Sequence, residues 1–451
     1  MNDFGYPNIV DVGCVVNDNI DVDNQNIRFL EEDVDRLNEE QSIVFDAVTT
    51  AVLNSNSSDR LFFLDGPGGT GKIFLYNTIL GYLRGCNAKC MAMATSGIAA
   101  CLLNEGRTAH SSLAIPLQLH DASVCNISAQ STLGQSLREV QLIVLDEACA
   151  GHRFMFEAID RSLRDIRNVD SPNGGVVVLY GGDFRQTLPV VVRGGRKQTV
   201  QACLRHSYLF PLMQHFHLTT NMRLQSQPDF QQFLLDIGEG KTGPKVDLPP
   251  GLVAPGNSLD GLIDAIFDDP VDFSERVILA VQNDDAQKIN QKITDSLQLS
   301  GLLPHQLNHK CGQYLMLLRN LNLAKGLCNG SRLRHLQVSS SVLLCEIVEG
   351  CYRFQEVLIP RITHHCNDSR LPFTLCRRQF PFTGAFVMTI NKLQGQSYGR
   401  VGIYLCTEVF SQGQLYVALS CGRHSANIKV ANDNNEAVGT MMNIVYHEVF
   451  I

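Results

Sequence analysis

The sequence predicts an α/β protein with parallel sheets covered by helices on both faces and a β-rich module inserted in its second half. Three observations carry this. Short apolar runs with polar or glycine-rich ends alternate with amphipathic helical segments, and strands joined by helices run parallel. That alternation lapses over residues 310–384, where shorter β-type runs such as QYLMLLRNL and EVLIPRI take over. Finally, 451 residues at 44% hydrophobic content suffice for two or three domains with real cores.

Taken in order, residues 1–36 are polar, acidic and Asn/Asp-rich, and are expected to form a flexible arm. A first domain is expected over 37–206. LFFLDG (Leu61 to Gly66) predicts a buried strand, KIFLYNTILGYL (Lys72 to Leu83) an amphipathic helix, and KCMAMAT, LIVLDEA and GVVVLYGGD further strands. A second domain is expected over 207–300 and 385–451. Within it, the Gly-, Pro- and Asp-rich stretch 239–275 predicts a surface connection, and Glu275 to Ile293 a strand followed by a helix. AFVMTI, RVGIYL and YVALS have strand character. Residues 301–384 form the inserted β-rich subdomain. Functional loops belong at the carboxyl ends of parallel strands.

Net charge is −8, which does not by itself announce a nucleic-acid binder. The distribution says more. Residues 1–60 carry thirteen Asp/Glu against three Lys/Arg, whereas residues 301–400 carry twelve Lys/Arg against four Asp/Glu. Such a basic region is either a solvated face or a track for a phosphate backbone. No apolar run is long enough to cross a membrane, so no membrane association is expected. The beginning of the sequence lacks the pattern of a secretory signal. Fifteen cysteines form no CxxC pair and no zinc-type spacing, so a reducing compartment is expected.

GPGGTGK, residues Gly66, Pro67, Gly68, Gly69, Thr70, Gly71 and Lys72, lies between a predicted strand and a predicted helix. Glycines there let backbone N–H groups and the helix N-terminus point at an anion, with Lys72 neutralising β- and γ-phosphates. The next position should offer a hydroxyl to Mg²⁺, but it is Ile73, which has no oxygen to give. LIVLDEA ends in Asp146 and Glu147. Two carboxylates at a buried strand end suit a metal-holding Asp146 and a Glu147 that orients or deprotonates water. Gln186, in GGDFRQTLPV, is placed to contact the γ-phosphate or that water.

The ordered segments LNEEQ, GPGGTGK, ATSGIAACLL with GRTAHS, LDEA, FEAIDRSLRDI, GGDFRQTLPVV and LTTNMRL span the first half. LMLLRNLN with GLCNGSRL, LPFTLCRRQFP, FVMTINKLQGQS and GQLYVALS continue the series. From about Leu37 to Val430 the chain resembles the PIF-type DNA helicases of superfamily one, and is most similar to the branch carried by Helitron transposons. The resemblance implies two RecA-like P-loop domains with ATP and Mg²⁺ in the cleft between them. It implies a monomer translocating 5′ to 3′ on single-stranded DNA and acting at DNA junctions. Roles in repair, recombination and telomere maintenance, and a nuclear location in a eukaryote, follow from the same family. By motif match, Gln41 reads adenine, Gly66 to Lys72 cradle phosphates, and Ile73, Gly395 and Gln396 complete the nucleotide set. Asp146, Glu147 and Gln186 run hydrolysis with Lys72, and Arg223 reaches in from the second domain. Ser96, Gly97, His110, Thr389, Asn391 and Lys392 contact DNA or couple it to ATP. Gln394 adds a further donor to that last cluster.

Two departures bear on turnover. Besides Ile73, the family's closing YVALSR is here YVALS followed by Cys421, so a cation expected at the γ-phosphate is missing; Arg423 stands two positions along. Both changes are reachable by single C-to-T transitions, as in a decaying transposon copy. The stretch between Ile293 and GLLPHQL is also shorter than the family pattern. The expectation is an ATP-dependent helicase with impaired hydrolysis; the alternative is a nucleotide- and DNA-binding remnant without motor activity.

Overall fold

The computed structural model describes residues 32–54, 59–268, 275–296, 311–322, 325–339, 341–350, 352–366, 375–432 and 438–450. The expected acidic arm therefore lies outside the described residues up to 31, and residues 32–35 are helical. The short stretch after Ile293 is described only to residue 296.

The first unit is a six-stranded sheet: β1 Leu61–Asp65, β2 Cys90–Ala94, β3 Arg107–Thr108, β4 Leu142–Asp146, β5 Val177–Gly182 and β6 Gln214–His217. Its order is β3-β2-β4-β5-β1-β6, and every pairing is parallel. Side-chain alternation sends Phe62, Leu64 and Val144 to one face, against Val44 and Phe45 of helix Glu39–Leu53 and Leu75 of helix Lys72–Gly85. Leu61, Phe63, Ile143 and Leu145 face the other way, against Phe156, Ile159 and Leu163 of helix Arg153–Arg167. With both faces covered, β4 and β5 are buried along their whole length, which is why LIVLD and VVLYGG lack a polar face.

Beyond β6 come β7 Lys245–Asp247 and β8 Arg276–Ala280. The β-rich module follows with β9 Tyr314–Leu317, β10 Arg332–Val338, β11 Val342–Ile347, β12 Glu356–Pro360, β13 Ile362–Cys366, β14 Leu375–Gln379 and β15 Phe382–Gly384. Then come β16 Val387–Thr389, β17 Arg400–Leu405, β18 Ile428–Asn432 and β19 Thr440–Met442. The second parallel sheet has the order β16-β8-β17-β18. The module is an antiparallel sheet of order β12-β11-β10-β9-β15, with β13 and β14 pairing separately. Leu315 and Leu317 of β9 point into the module's own core, whereas Tyr314 and Met316 join the core of the second unit. Arg332, fully buried, donates to the Arg276 carbonyl (3.2 Å) and the Ala385 carbonyl (3.3 Å), and lies over the rings of Tyr314 and Tyr398.

Four boundaries differ from the sequence expectation. The first sheet extends past residue 206, because β6 pairs with β1. Residues 446–450 return to the first unit: Val449 is buried in its core, and Glu448 pairs with Arg196 at 2.7 Å. The stretch 239–275 is more than a surface connection. It contains helix Leu259–Phe267, whose Leu262 and Ile266 are buried beside Ile278 of β8. Finally, YVALS is helical, within Gln414–Ser420. Every residue from Gln414 to Leu419 is buried, so no apolar periodicity survives to separate helix from strand.

Candidate active site: a cleft between the two parallel sheets

Three neighbouring strands of the first sheet, β4, β5 and β1, deliver their carboxyl ends to one place. The loop after β1 holds Gly66 to Gly71, β4 ends in Asp146 with Glu147 behind it, and Gln186 follows β5. From the second unit, Gly395 and Gln396 follow β16, and Val417, Ser420 and Cys421 come from the helix Gln414–Ser420 and the residue after it. Together they enclose a cleft of about 340 Å³, lined also by Pro67 to Ile73 and by Met222 and Arg223.

The loop has the form an anion needs. Gly69 and Gly71 have φ of +94° and +82°, a region that favours glycine. A Cβ on Gly69 would stand 2.6 Å from Asn221 Oδ1, so the connector 218–224 can lie against the loop. Met222 N donates to the Gly69 carbonyl at 2.9 Å, and Asn221 Nδ2 to the Gly68 carbonyl at 3.0 Å. The helix Lys72–Gly85 has no side-chain cap, which leaves its first N–H groups directed at the cleft. The Lys72 ammonium donates to the Gly66 carbonyl of the same loop. Ile73 lines the cleft and packs against the first unit's core.

The acid pair is buried. Asp146 Oδ1 makes no hydrogen bond among the described residues, and burial pushes the Asp146 carboxyl up while Lys72 pulls it down. Glu147 adopts a left-handed backbone (φ 55°, ψ 35°), a conformation that costs a non-glycine residue of order 1 kcal/mol and collects at functional sites. Burial, and next the charge of Asp146, push the Glu147 carboxyl to about 7. Across the cleft, Gln394 Nε2 donates to Glu147 Oε2 at 2.8 Å, and the Thr187 hydroxyl donates to Gln394 Oε1. A Cβ on Gly395 would stand 3.0 Å from Glu147 Oε1, so glycine there admits the close approach. The Gln186 side chain donates to Asp183 at 3.4 Å, and its Oε1 is buried without a partner among the described residues.

Arg223 lies on the connector between the units. Its Nη1 donates to the Ser420 carbonyl at 3.1 Å, and burial pushes its pKa down. Cys421 stands beside it, buried, in the cleft wall. Arg423 does not replace the missing cation: it pairs with Glu275 at 3.0 Å and is absent from the cleft lining. Gln41 is also outside the cleft. Its amide donates to the Thr70 carbonyl at 3.1 Å and its oxygen accepts from Asn38 N at 3.1 Å, so it braces the phosphate loop from behind.

The residues expected to meet DNA form two sets. Ser96, exposed, caps the helix Gly97–Leu102 at the carboxyl end of β2, and His110 follows β3. Burial pushes the His110 imidazole pKa down. Thr389 ends β16 in the second sheet, and Asn391 and Lys392 follow it. Thr389 is buried, Asn391 accepts from Gln414 Nε2 at 3.1 Å, and burial pushes the Lys392 ammonium pKa down.

Sequence reasoning missed two residues of the site. Asn221, inside LTTNMRL, fixes the connector by accepting from Arg223 N and Leu224 N at 2.9 and 3.0 Å; an Asn two residues before an arginine was the available signal. Gln394 stands in sequence beside the expected DNA donors but reaches the acid of the cleft, a contact that nothing local in the sequence announces.

A family model described as PIF1-like helicase matches residues 36–247, and one described as the 2B domain of DNA helicase Pif1 matches 292–337. The human ATP-dependent DNA helicase PIF1 is 28% identical over 422 residues, covering 89% of this chain and 62% of that protein. The chain thus spans about three-fifths of this relative's length. The ATP-dependent DNA helicase Pif1 of Bdellovibrio bacteriovorus is 26% identical over 391 residues, covering 83% of this chain and 85% of that protein. The Bacteroides Pif1 structure with ADP-AlF3 and single-stranded DNA superposes with a TM-score of 0.68 at 21% identity, covering 92% of this chain and 96% of that one. The Candida albicans Pif1 structure gives 0.62 at 20%, covering 88% and 95%. Taken with the two-sheet cleft, these matches identify the chain as a member of the PIF1-like helicase family.

Proposed function

We propose that this chain is an ATP-dependent DNA helicase that moves 5′ to 3′ along single-stranded DNA. The observation that carries the reading is the cleft itself. It unites a glycine phosphate loop, a buried acid pair and Gln186 from one unit with Gly395 and Gln396 from the other, and Arg223 on the connector between them. In this reading Lys72 leaves the Gly66 carbonyl for the phosphates of ATP. Glu147 takes the proton of the attacking water, Gln186 orients that water, and Arg223 meets the charge that builds on the γ-phosphate. Magnesium fits through carboxylate oxygen only: Asp146 offers a buried, unpartnered Oδ1, and Ile73 offers nothing. When bound, Mg²⁺ supplies positive charge to the β- and γ-phosphates. Gln394 touches Glu147 and follows Thr389, Asn391 and Lys392 in one segment, a short route for DNA contact to reach the acid. Direction of travel, action at DNA junctions, work as a monomer, roles in repair, recombination and telomere maintenance, and a nuclear location rest on the family resemblance.

A second reading is a nucleotide- and DNA-binding protein without motor activity. It is favoured by Ile73, by Cys421, and by the commitment of Arg423 to Glu275. Steady-state ATPase with and without single-stranded DNA at saturating Mg²⁺ separates the two. DNA-stimulated turnover supports the motor; nucleotide and DNA binding without turnover supports the second reading. Binding to DNA should weaken steeply with salt, as counterion release requires, and binding that ignores salt would remove the electrostatic basis of both.

A further inference from the structure

Two thiols meet where the β-rich module touches the first unit. Cys101 lies on helix Gly97–Leu102, Cys328 in the turn before β10, and their sulfurs are 3.3 Å apart although 227 positions separate them in sequence. That distance is a thiol–thiol contact, about 1.3 Å longer than a disulfide bond. The approach is built from both sides. A Cβ on Gly97 would stand 3.0 Å from Cys328 Cβ, and one on Gly330 only 2.3 Å from Ile98 Cδ1. The turn is held as well: Cys328 N donates to Ser331 Oγ at 3.0 Å, and the Ser331 hydroxyl donates to the Gly326 carbonyl at 2.7 Å.

We propose that Cys101 and Cys328 form a reversible disulfide that latches the β-rich module onto the first unit. The oxidant is a small disulfide of the glutathione class. Cys101, the more exposed of the two, attacks one sulfur of glutathione disulfide as its thiolate. The glutathione S–S bond breaks, and one glutathione leaves as a thiolate that takes a proton from water. Cys328, as its thiolate, then attacks Cys101 Sγ, breaking the mixed disulfide and releasing the second glutathione. Two protein thiols are oxidised, and one glutathione disulfide is reduced to two thiols. In the reduced pair the environment of Cys328 differs from that of the other buried thiols. Hydrogen bonds with Cys101 and Ser331 hold its thiol below the ordinary value, whereas burial pushes the buried thiols Cys149, Cys203, Cys345 and Cys421 up.

The latch sits beside Ser96 and Gly97. Given the helicase reading, its closure before DNA arrives keeps the strand away from that segment; the latch itself does not depend on that reading.

The test treats the full chain with glutathione disulfide, caps the remaining thiols, digests without reduction and maps linked peptides by mass spectrometry. The wild type should give a Cys101–Cys328 link that dithiothreitol removes and that Cys101→Ser and Cys328→Ser both lack. If Cys328→Ser fails to fold, Cys101→Ser alone decides, since Cys101 is only partly buried. Amide exchange over 97–102 and 326–332 should slow at least tenfold on oxidation of the wild type and not of Cys101→Ser. Glutathione on the exposed Cys86 with no Cys101–Cys328 link overturns the proposal, as does a link without slowed exchange. A fluorescent oligo(dT) strand should bind at least tenfold more weakly to chain oxidised beforehand. Unchanged binding in linked chain overturns the control of DNA access. Failure of the reduced chain to bind oligo(dT) overturns the helicase reading and leaves the latch standing on its link and exchange.

Discussion

The two walls of the cleft have fared differently. The wall from the first unit keeps a full phosphate loop, Lys72, two carboxylates and Gln186, with a hydrocarbon at Ile73 where a hydroxyl is expected. The opposite wall presents glycine, glutamine, valine, serine and a cysteine, and among the described residues lining the cleft the one cation besides Lys72 is Arg223 on the connector. On the proposed reading, holding a nucleotide and cleaving it are therefore separable. The ground-state contacts lie mostly on the first wall, whereas charge that appears only in the transition state calls on the second.

The largest expected effect comes from restoring the poorer wall. Cys421→Arg puts a cation back, and an arginine of this kind contributes roughly 10³- to 10⁵-fold to kcat. It can act only when nucleotide and metal are seated, which Ile73→Thr should improve. Each single repair should raise DNA-stimulated kcat little, and the double repair should exceed the product of the two gains. Additive gains, or an unrepaired chain that already turns over fast, would erase the contrast between the walls. Because Ile73 packs on the core, Ile73→Thr should also cost roughly 1 kcal/mol of stability by denaturant unfolding.

A smaller effect tests the richer wall. Lys72→Ala removes the loop's only full positive charge, worth roughly 1.5–3 kcal/mol against a phosphate, or about ten- to a hundredfold in nucleotide Kd. Calorimetry showing wild-type affinity after this change would place the nucleotide elsewhere.

The smallest effect concerns pH. The Glu147 carboxyl is raised from 4.5 to about 7 by burial and by Asp146. A raised acid holds its proton more tightly when folded, so its ionisation destabilises the fold progressively as pH climbs from about 4.5 to 7. Glu147→Gln should thus leave the Tm almost unchanged at pH 5 and raise it at pH 8, by roughly 1–3 kcal/mol of stability. A gain of equal size at both pH values would mean that Glu147 is not buried as a charge.

How legible all this was in the sequence depends on the reach of each contact. The phosphate loop and acid pair were legible because their chemistry is dense in a few adjacent residues and sits at the ends of strands that stay apolar throughout. The helix Gln414–Ser420 was not, since burial on every side erases the period that distinguishes it. Gln41 illustrates a subtler gap. Its place at the start of a helix is legible through Asn38, which it joins in a capping box, but the turn of its amide toward Thr70 depends on a loop 29 positions away. The edge strand β6 and the returning residues 446–450 depend on partners still more distant, which local patterns do not encode.

That return of residues 446–450 sets a schedule for synthesis. The first sheet has all its strands once His217 has left the ribosome, yet Val449, which closes the core near Leu204 and Leu209, is made only after the whole second unit. At about 5–20 residues per second, the gap is on the order of ten to fifty seconds. Through that interval the nascent first unit carries an apolar seam that stays unsealed until Val449 arrives.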